Sequence, residues 1–389
     1  MLNTWLEKNF KRVIEIRRWL HKHPEVGFEE YKTSEYCRKF MEDMGYEIFQ
    51  NEKMQTGFYC DYGSGGNPTL AVRCDLDALP IEEVNTIDCC SLNKGVSHAC
   101  GHDSHMANIL GLAAYIAETE LEIPGRLRFI FQPAEEIAPG GAVVMMEAGA
   151  IHGVDHIIGG HVLPTLSSEK IGIRYGSIAA SVERLDITLK GPGGHTSRPA
   201  ESVDLIWAQS HLVISLEESI KHRLDQREPV VLAFGQVEGG HTCNVLPTEI
   251  ILKGTLRYLN TDLKEKLYQV IDDTVHSVER ITNANIEWSI PHASPGLTND
   301  NSCTELIIKA AQSVLKPENV QMMKESSMGG EDFAYYLEEI PGAYFRIGCF
   351  DGKSRDIHTN DFNIDEQCMA TAIKVFNESI RWYFNLHQG

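Results

Sequence analysis

Apolar positions in the first part of the chain follow two periods. Tyr36, Cys37, Phe40, Met41 and Met44 recur at helical spacing and stop at Gly45, which predicts a helix ending there. Leu70-Ala71-Val72 is a short, wholly apolar run that meets Asp75 and Asp77. Leu127 to Phe131 is a second such run and ends in Gln132-Pro133-Ala134-Glu135-Glu136. Between the two, Met106, Ile109, Leu110, Ala113 and Ile116 mark another helix, and Ile157-Ile158 leads through Gly159-Gly160 to His161. Short buried-type strands separated by helices predict an α/β fold with an open, mostly parallel sheet.

The middle of the chain changes character. Leu185, Ile187 and Leu189 alternate with polar residues, and a helical pattern follows through Val203, Ile206, Trp207 and Val213. Strands fit 230–237 and 249–258, a helix fits 263–281, and a strand fits 285–290. The order β-α-β-β-α-β is the split, ferredoxin-like pattern. We therefore expect an α/β domain formed by residues 1–179 and 294–389, with an inserted ferredoxin-like α+β lid domain at 180–293. The α/β pattern resumes with a helix near 302–315, a strand near 344–347 and a last helix from Asp365.

Composition narrows the classes. The 389 residues are 42% hydrophobic and 23% charged, as in an ordinary globular protein. The first twenty residues interleave Leu6, Phe10 and Ile14 with Lys8, Lys11, Arg12 and Arg17. This is an amphipathic helix, with neither the apolar core of an export signal nor a membrane span. Ten cysteines in so long a chain suit free or metal-bound thiols in a reducing cytoplasm. A formal charge of -20 argues against nucleic acid, because no basic stripe is available to neutralise phosphates.

The chemistry concentrates at His98-Ala99-Cys100-Gly101-His102-Asp103-Ser104-His105. Cys100 and His102, two residues apart, can face one cation, and thiolate and imidazole are good ligands for a borderline-soft divalent ion. In an open α/β sheet, ligands bind beyond the carboxyl ends of the strands. Asp75/Asp77, Glu135/Glu136 and His161 are all expected there. Cys100, His102, Glu136, His161 and His358 then make five candidate ligands, more than one tetrahedral ion needs. They suit two ions about 3.5–4 Å apart. Glu135, beside a ligand without being one, is the candidate general base.

These segments together resemble the binuclear metal-dependent amidohydrolases of the aminoacylase–carboxypeptidase group, in the subgroup of hippurate and indole-acetyl-amino-acid hydrolases. The resemblance runs from Arg18-Trp19-Leu20-His21-Lys22-His23-Pro24-Glu25 through Asp75-Leu76-Asp77-Ala78-Leu79-Pro80 and 98–105. It continues through 132–136, 191–199, 239–247 and 328–333. It implies that Cys100, His102, Glu136, His161 and His358 are ligands and that Glu135 is the base. It also implies that His195 stabilises the developing oxyanion, and that Asn244 and Arg257 hold the substrate carboxylate. Asp77 is expected to orient a ligand histidine, while His98, Asp103 and His105 are supporting or structural. Cys74, Cys89-Cys90 and Thr359-Asn360-Asp361 depart from the usual pattern without removing a ligand.

The reaction expected is hydrolysis of an N-acyl amino acid (acetyl, benzoyl or similar) to a carboxylic acid and a free amino acid. Two divalent ions drawn from Zn, Mn, Co and Ni would assist. A homodimer through the lid is a possibility that the resemblance raises. Two other readings stay open: a dipeptidase or aminopeptidase-like hydrolase, and a metal-binding relative without catalysis. The first would want an acidic anchor for a free amine, and none is evident. Replacement of Glu135 would signal the second, and Glu135 is present.

Overall fold

The computed structural model describes residues 1–386. The chain divides into two compact units. The first comprises 1–178, 298–325 and the chain from Asp332 onward; the second comprises 179–297 together with 326–331. Residues 326–331 thus belong with the second unit, although the chain on either side of them belongs with the first.

The first unit is built on an eight-stranded sheet. Its order is Glu47–Phe49, Phe58–Tyr62, Arg126–Gln132, Thr69–Asp75, His156–Ser167, Gly342–Phe350, Ile171–Ile173 and Val320–Met322. The four central strands pair in parallel, and the antiparallel pairs lie toward the margins. Thr69–Asp75 is buried at every position, so its uninterrupted apolar run is that of a strand covered on both faces. The helix His102–Glu118 is buried from His102 to Ile116. It packs against Thr69–Asp75 and against the helices Leu2–Lys22 and Cys368–Tyr383, which accounts for its nearly continuous apolar sequence.

Arg17 departs from the sequence reading. The interleaved pattern puts it on the polar face of the amphipathic helix, yet it is 2% exposed. Its Nε lies 2.6 Å from Asp103 Oδ2, and His21 Nδ1 reaches the same oxygen at 2.8 Å. A buried arginine is tolerated only when paired in this way. His161 departs too. It lies within the strand His156–Ser167 rather than past its end.

The second unit is a four-stranded antiparallel sheet in the order Val230–Gly239, Glu249–Tyr258, Ser181–Lys190, Asn285–Ser294. The helices Leu205–Arg223 and Lys264–Thr282 complete the split β-α-β-β-α-β arrangement. It has its own core, in which Leu185, Ile187 and Leu189 meet Leu212, Leu216, Ile271 and Val275. A two-stranded ribbon, Gly194–His195 with Val245–Leu246, projects from the same unit. No helix of the described residues is long and apolar enough to cross a membrane.

Candidate metal centre and active site

Four chain segments of the first unit converge at the carboxyl end of its central strands. The turn before the helix His102–Glu118 carries Cys100, and the helix opens with His102. Gly101, with φ +85°, makes that turn. A Cβ there would stand 2.6 Å from Val162 Cγ2, so the position needs glycine both for its backbone and for space. From the neighbouring strand comes His161, whose Nε2 lies 3.2 Å from Cys100 Sγ. The loop after Arg126–Gln132 brings Glu135 and Glu136. A later loop brings His358, tied to the first segment by its N–H to Ala99 O at 2.8 Å.

Ligand atoms of Cys100, His102 and His161 lie within 4.8 Å of one another, and so do those of Cys100, Glu136 and His358. Cys100 belongs to both groups. His102, Glu135 and Glu136 form a third, and His358 Nε2 is 3.0 Å from Glu136 Oε1. All five expected ligands and the expected base therefore meet in one place.

The ring orientations suit metal binding. His102 Nδ1 donates to Asp77 O at 2.9 Å, while its Nε2 is buried with no hydrogen-bond partner. His161 Nδ1 donates to Val162 O at 2.8 Å, which leaves Nε2 as the lone-pair nitrogen facing the thiol. Donation through one ring nitrogen fixes the tautomer that offers the other to a cation. Burial, then the neighbouring His105 and Arg346, pushes the His161 pKa well below its ordinary value and keeps the ring neutral. Sulfur, nitrogen and oxygen donors on a shared thiol fit a pair of divalent ions.

Asp77 serves two sides of the cluster. Its carbonyl orients His102, and its Oδ2 accepts the Glu136 N–H at 2.9 Å. Two further residues, to which the sequence alone assigns no specific role, support the cluster. His105 Nδ1 donates to Asp75 Oδ1 at 2.7 Å, and its Nε2 accepts the Val162 N–H at 3.1 Å, which braces the backbone beside His161. Asp75 Oδ2 in turn accepts from Arg73 at 2.8 Å, and Arg73 reaches Asp332 at 2.7 Å. The placement of His105 one turn after His102 was a signal for the first link. No local signal exists for a bond between residues 73 and 332.

In the second unit, His195 and Asn244 come together on the two-stranded ribbon. His195 pairs with Val245, and Thr196 N–H donates to Asn244 O at 3.2 Å. His195 Nδ1 accepts the Ser197 N–H at 3.0 Å, so the neutral ring carries its proton on Nε2. Arg257 stands apart from them on the strand Glu249–Tyr258. Its Nη1 donates to Met328 O at 2.8 Å.

Residues 71–382 match the model of peptidase family M20/M25/M40. The chain is 34% identical to an N-acetyl-L-cysteine deacetylase of Bacillus subtilis, over 95% of this chain and 88% of that one. It is 37% identical to an N-acyl-L-amino acid amidohydrolase of Geobacillus stearothermophilus, over 71% and 75%. Among solved structures, a dinuclear metal-binding peptidase of the M20 family from Bacillus subtilis superposes with a TM-score of 0.85 at 31% identity, covering 97% of this chain and 99% of that one. The fold and cluster define a metal-dependent hydrolase. The chain belongs to peptidase family M20/M25/M40 and is one of its amidohydrolases.

Proposed function

We propose that this chain hydrolyses the amide of N-acyl amino acids through two divalent ions held by Cys100, His102, Glu136, His161 and His358. The observation that carries the reading is Glu135 at the rim of this cluster, within 4.8 Å of ligand atoms of both His102 and Glu136. Bound ions supply Lewis acidity at the amide carbonyl and a lowered pKa for water. Glu135 takes the proton of the attacking water and delivers it to the leaving amine nitrogen. His195, through its Nε2–H, donates to the oxyanion as it develops. Asn244 and Arg257 take the substrate carboxylate, Arg257 by a charge-assisted contact.

The relatives' names support short acyl groups such as acetyl, and the resemblance to hippurate and indole-acetyl-amino-acid hydrolases extends the set to benzoyl and indole-acetyl. Thiolate with imidazole favours Zn²⁺, with Mn²⁺, Co²⁺ and Ni²⁺ as alternatives. We place the enzyme in the cytoplasm, where ten free thiols stay reduced. Dimerisation through the second unit is supported by its edge strand Val230–Gly239 and by exposed Ile206, Trp207 and Ile214 on one helix, since unpaired edges and apolar faces are where chains associate.

Acetyl, benzoyl and indole-acetyl amino acids assayed on ion-loaded protein test the reading. Chelation should abolish turnover and divalent ions restore it. Glu135→Gln should keep the ions and lose at least about 10²-fold in kcat. Near-normal turnover in an ion-replete Gln variant would remove Glu135 as the base.

A further inference from the structure

We propose that Glu30 is a positioning residue for Glu135, acting through the backbone of Ala134. The proposal rests on the reading of Glu135 as the base. Glu30 lies outside the metal cluster, on the residue before the helix Tyr31–Asp43, and is fully buried. Its Oε1 accepts the Ala134 N–H at 2.7 Å, and its Oε2 accepts from Thr56 Oγ1 at 2.5 Å. Ala134 has φ +48°, a left-handed conformation that alanine adopts only under external restraint. That conformation turns the chain between the strand Arg126–Gln132 and Glu135.

Ala134 gives its N–H to Glu30 and receives the Gly141 N–H on its carbonyl at 2.9 Å. On the far side of Glu135, Glu136 gives its N–H to Asp77. The base is thus flanked by two backbone N–H groups, each held by a buried carboxyl from another segment. The chain carrying Glu30 also packs directly on the loop. A Cβ at Gly27 would stand 2.6 Å from Ile137 Cδ1 and 3.0 Å from Ala134 Cα. Burial, with the nearby Asp77 charge adding to it, pushes the Glu30 carboxyl up to about 7 against the opposing Thr56 bond. A carboxyl in either protonation state accepts the Ala134 N–H, so the hold persists on both sides of that value.

The experiment compares Glu30→Ala and Glu30→Gln, each alone and combined with Glu135→Gln. The glutamine amide oxygen can accept the Ala134 N–H while its NH2 meets Thr56 Oγ1. In ion-free protein, Glu30→Ala should speed hydrogen exchange across residues 134–137, and Glu30→Gln should restore protection. In loaded protein, Glu30→Ala should lower kcat by about 10-fold or more, with KM and ion content within about twofold. Glu30→Gln should recover most of the rate. Added to Glu135→Gln, Glu30→Ala should lower kcat no further, because the group it positions is already gone. Unchanged kcat in Glu30→Ala, failure of Gln to restore it, or an undiminished loss in the Glu135→Gln background would each overturn the proposal. Full activity of Glu135→Gln would overturn the base assignment instead. Should Glu30→Ala not fold, Thr56→Val frees one Glu30 oxygen and carries the same comparison at smaller amplitude. Normal exchange and kcat in that variant would overturn the proposal.

Discussion

Asp103 follows a candidate ligand in the chain, yet its side chain turns away to Arg17 and His21. Burial alone would raise its pKa; Arg17 foremost, then His21, outweigh that and hold it far below the usual carboxylate range. The sign follows from the depression. The stability Asp103 contributes is present above about pH 4, the value of the unfolded chain, and is lost as pH falls further. Arg17→Met leaves the carboxylate buried with a weaker partner set. Urea unfolding at pH 7 should show a loss of about 3–5 kcal/mol. A loss below about 1 kcal/mol, the value of a surface pair, would mean that the ion pair supports neither the helix start nor the fold.

At the scale of elements, the helix His102–Glu118 joins the cluster to the core. Leu110, fully buried in the first unit's core, should cost about 2–5 kcal/mol on replacement by alanine. Ion binding, made at the helix's first turn and the loop before it, should survive in the folded fraction. Calorimetry for stability and elemental analysis for ions separate the two effects; parallel loss of both would show that the helix start depends on packing two turns away. The sequence patterns found this helix, the central strands and the six elements of the second unit's split fold. They missed Glu47–Phe49, Phe58–Tyr62, Ile171–Ile173, Val320–Met322 and the ribbon of Gly194–His195 with Val245–Leu246. Most of these are two or three residues long, too short to express a period, and exist because a neighbouring strand supplies their hydrogen bonds.

For the whole molecule, charge sets a condition on substrate. Under the proposed function, a chain of net charge -20 repels its anionic N-acyl amino acid substrate at long range, while bound ions and Arg257 would attract it locally. Raising salt from about 0.01 M to about 0.15 M shortens the Debye length from about 30 Å to about 8 Å. We expect kcat/KM for the acid to rise over that range and that for the matching amino-acid amide to stay flat. Steady-state rates on the two substrates check this. A fall for the acid would mean that local positive charge already dominates at long range.

The sequence by itself determined the class of fold and the membership of the cluster. Uninterrupted apolar runs read as covered strands, and strand ends followed by Asp75, Glu135 and Glu136 marked one rim. The short spacing from Cys100 to His102 is chemistry carried by adjacent residues. Tertiary structure alone decided which ring nitrogen each histidine offers, since that depends on the carbonyls of Asp77 and Val162. It decided that Arg17 is internal, because helical periodicity cannot distinguish a solvated cation from one facing a buried carboxylate. It also decided that Glu30 reaches Ala134. The two lie far apart in sequence, and only the close approach of their segments, possible where Gly27 has no side chain, brings that carboxyl to the backbone beside Glu135.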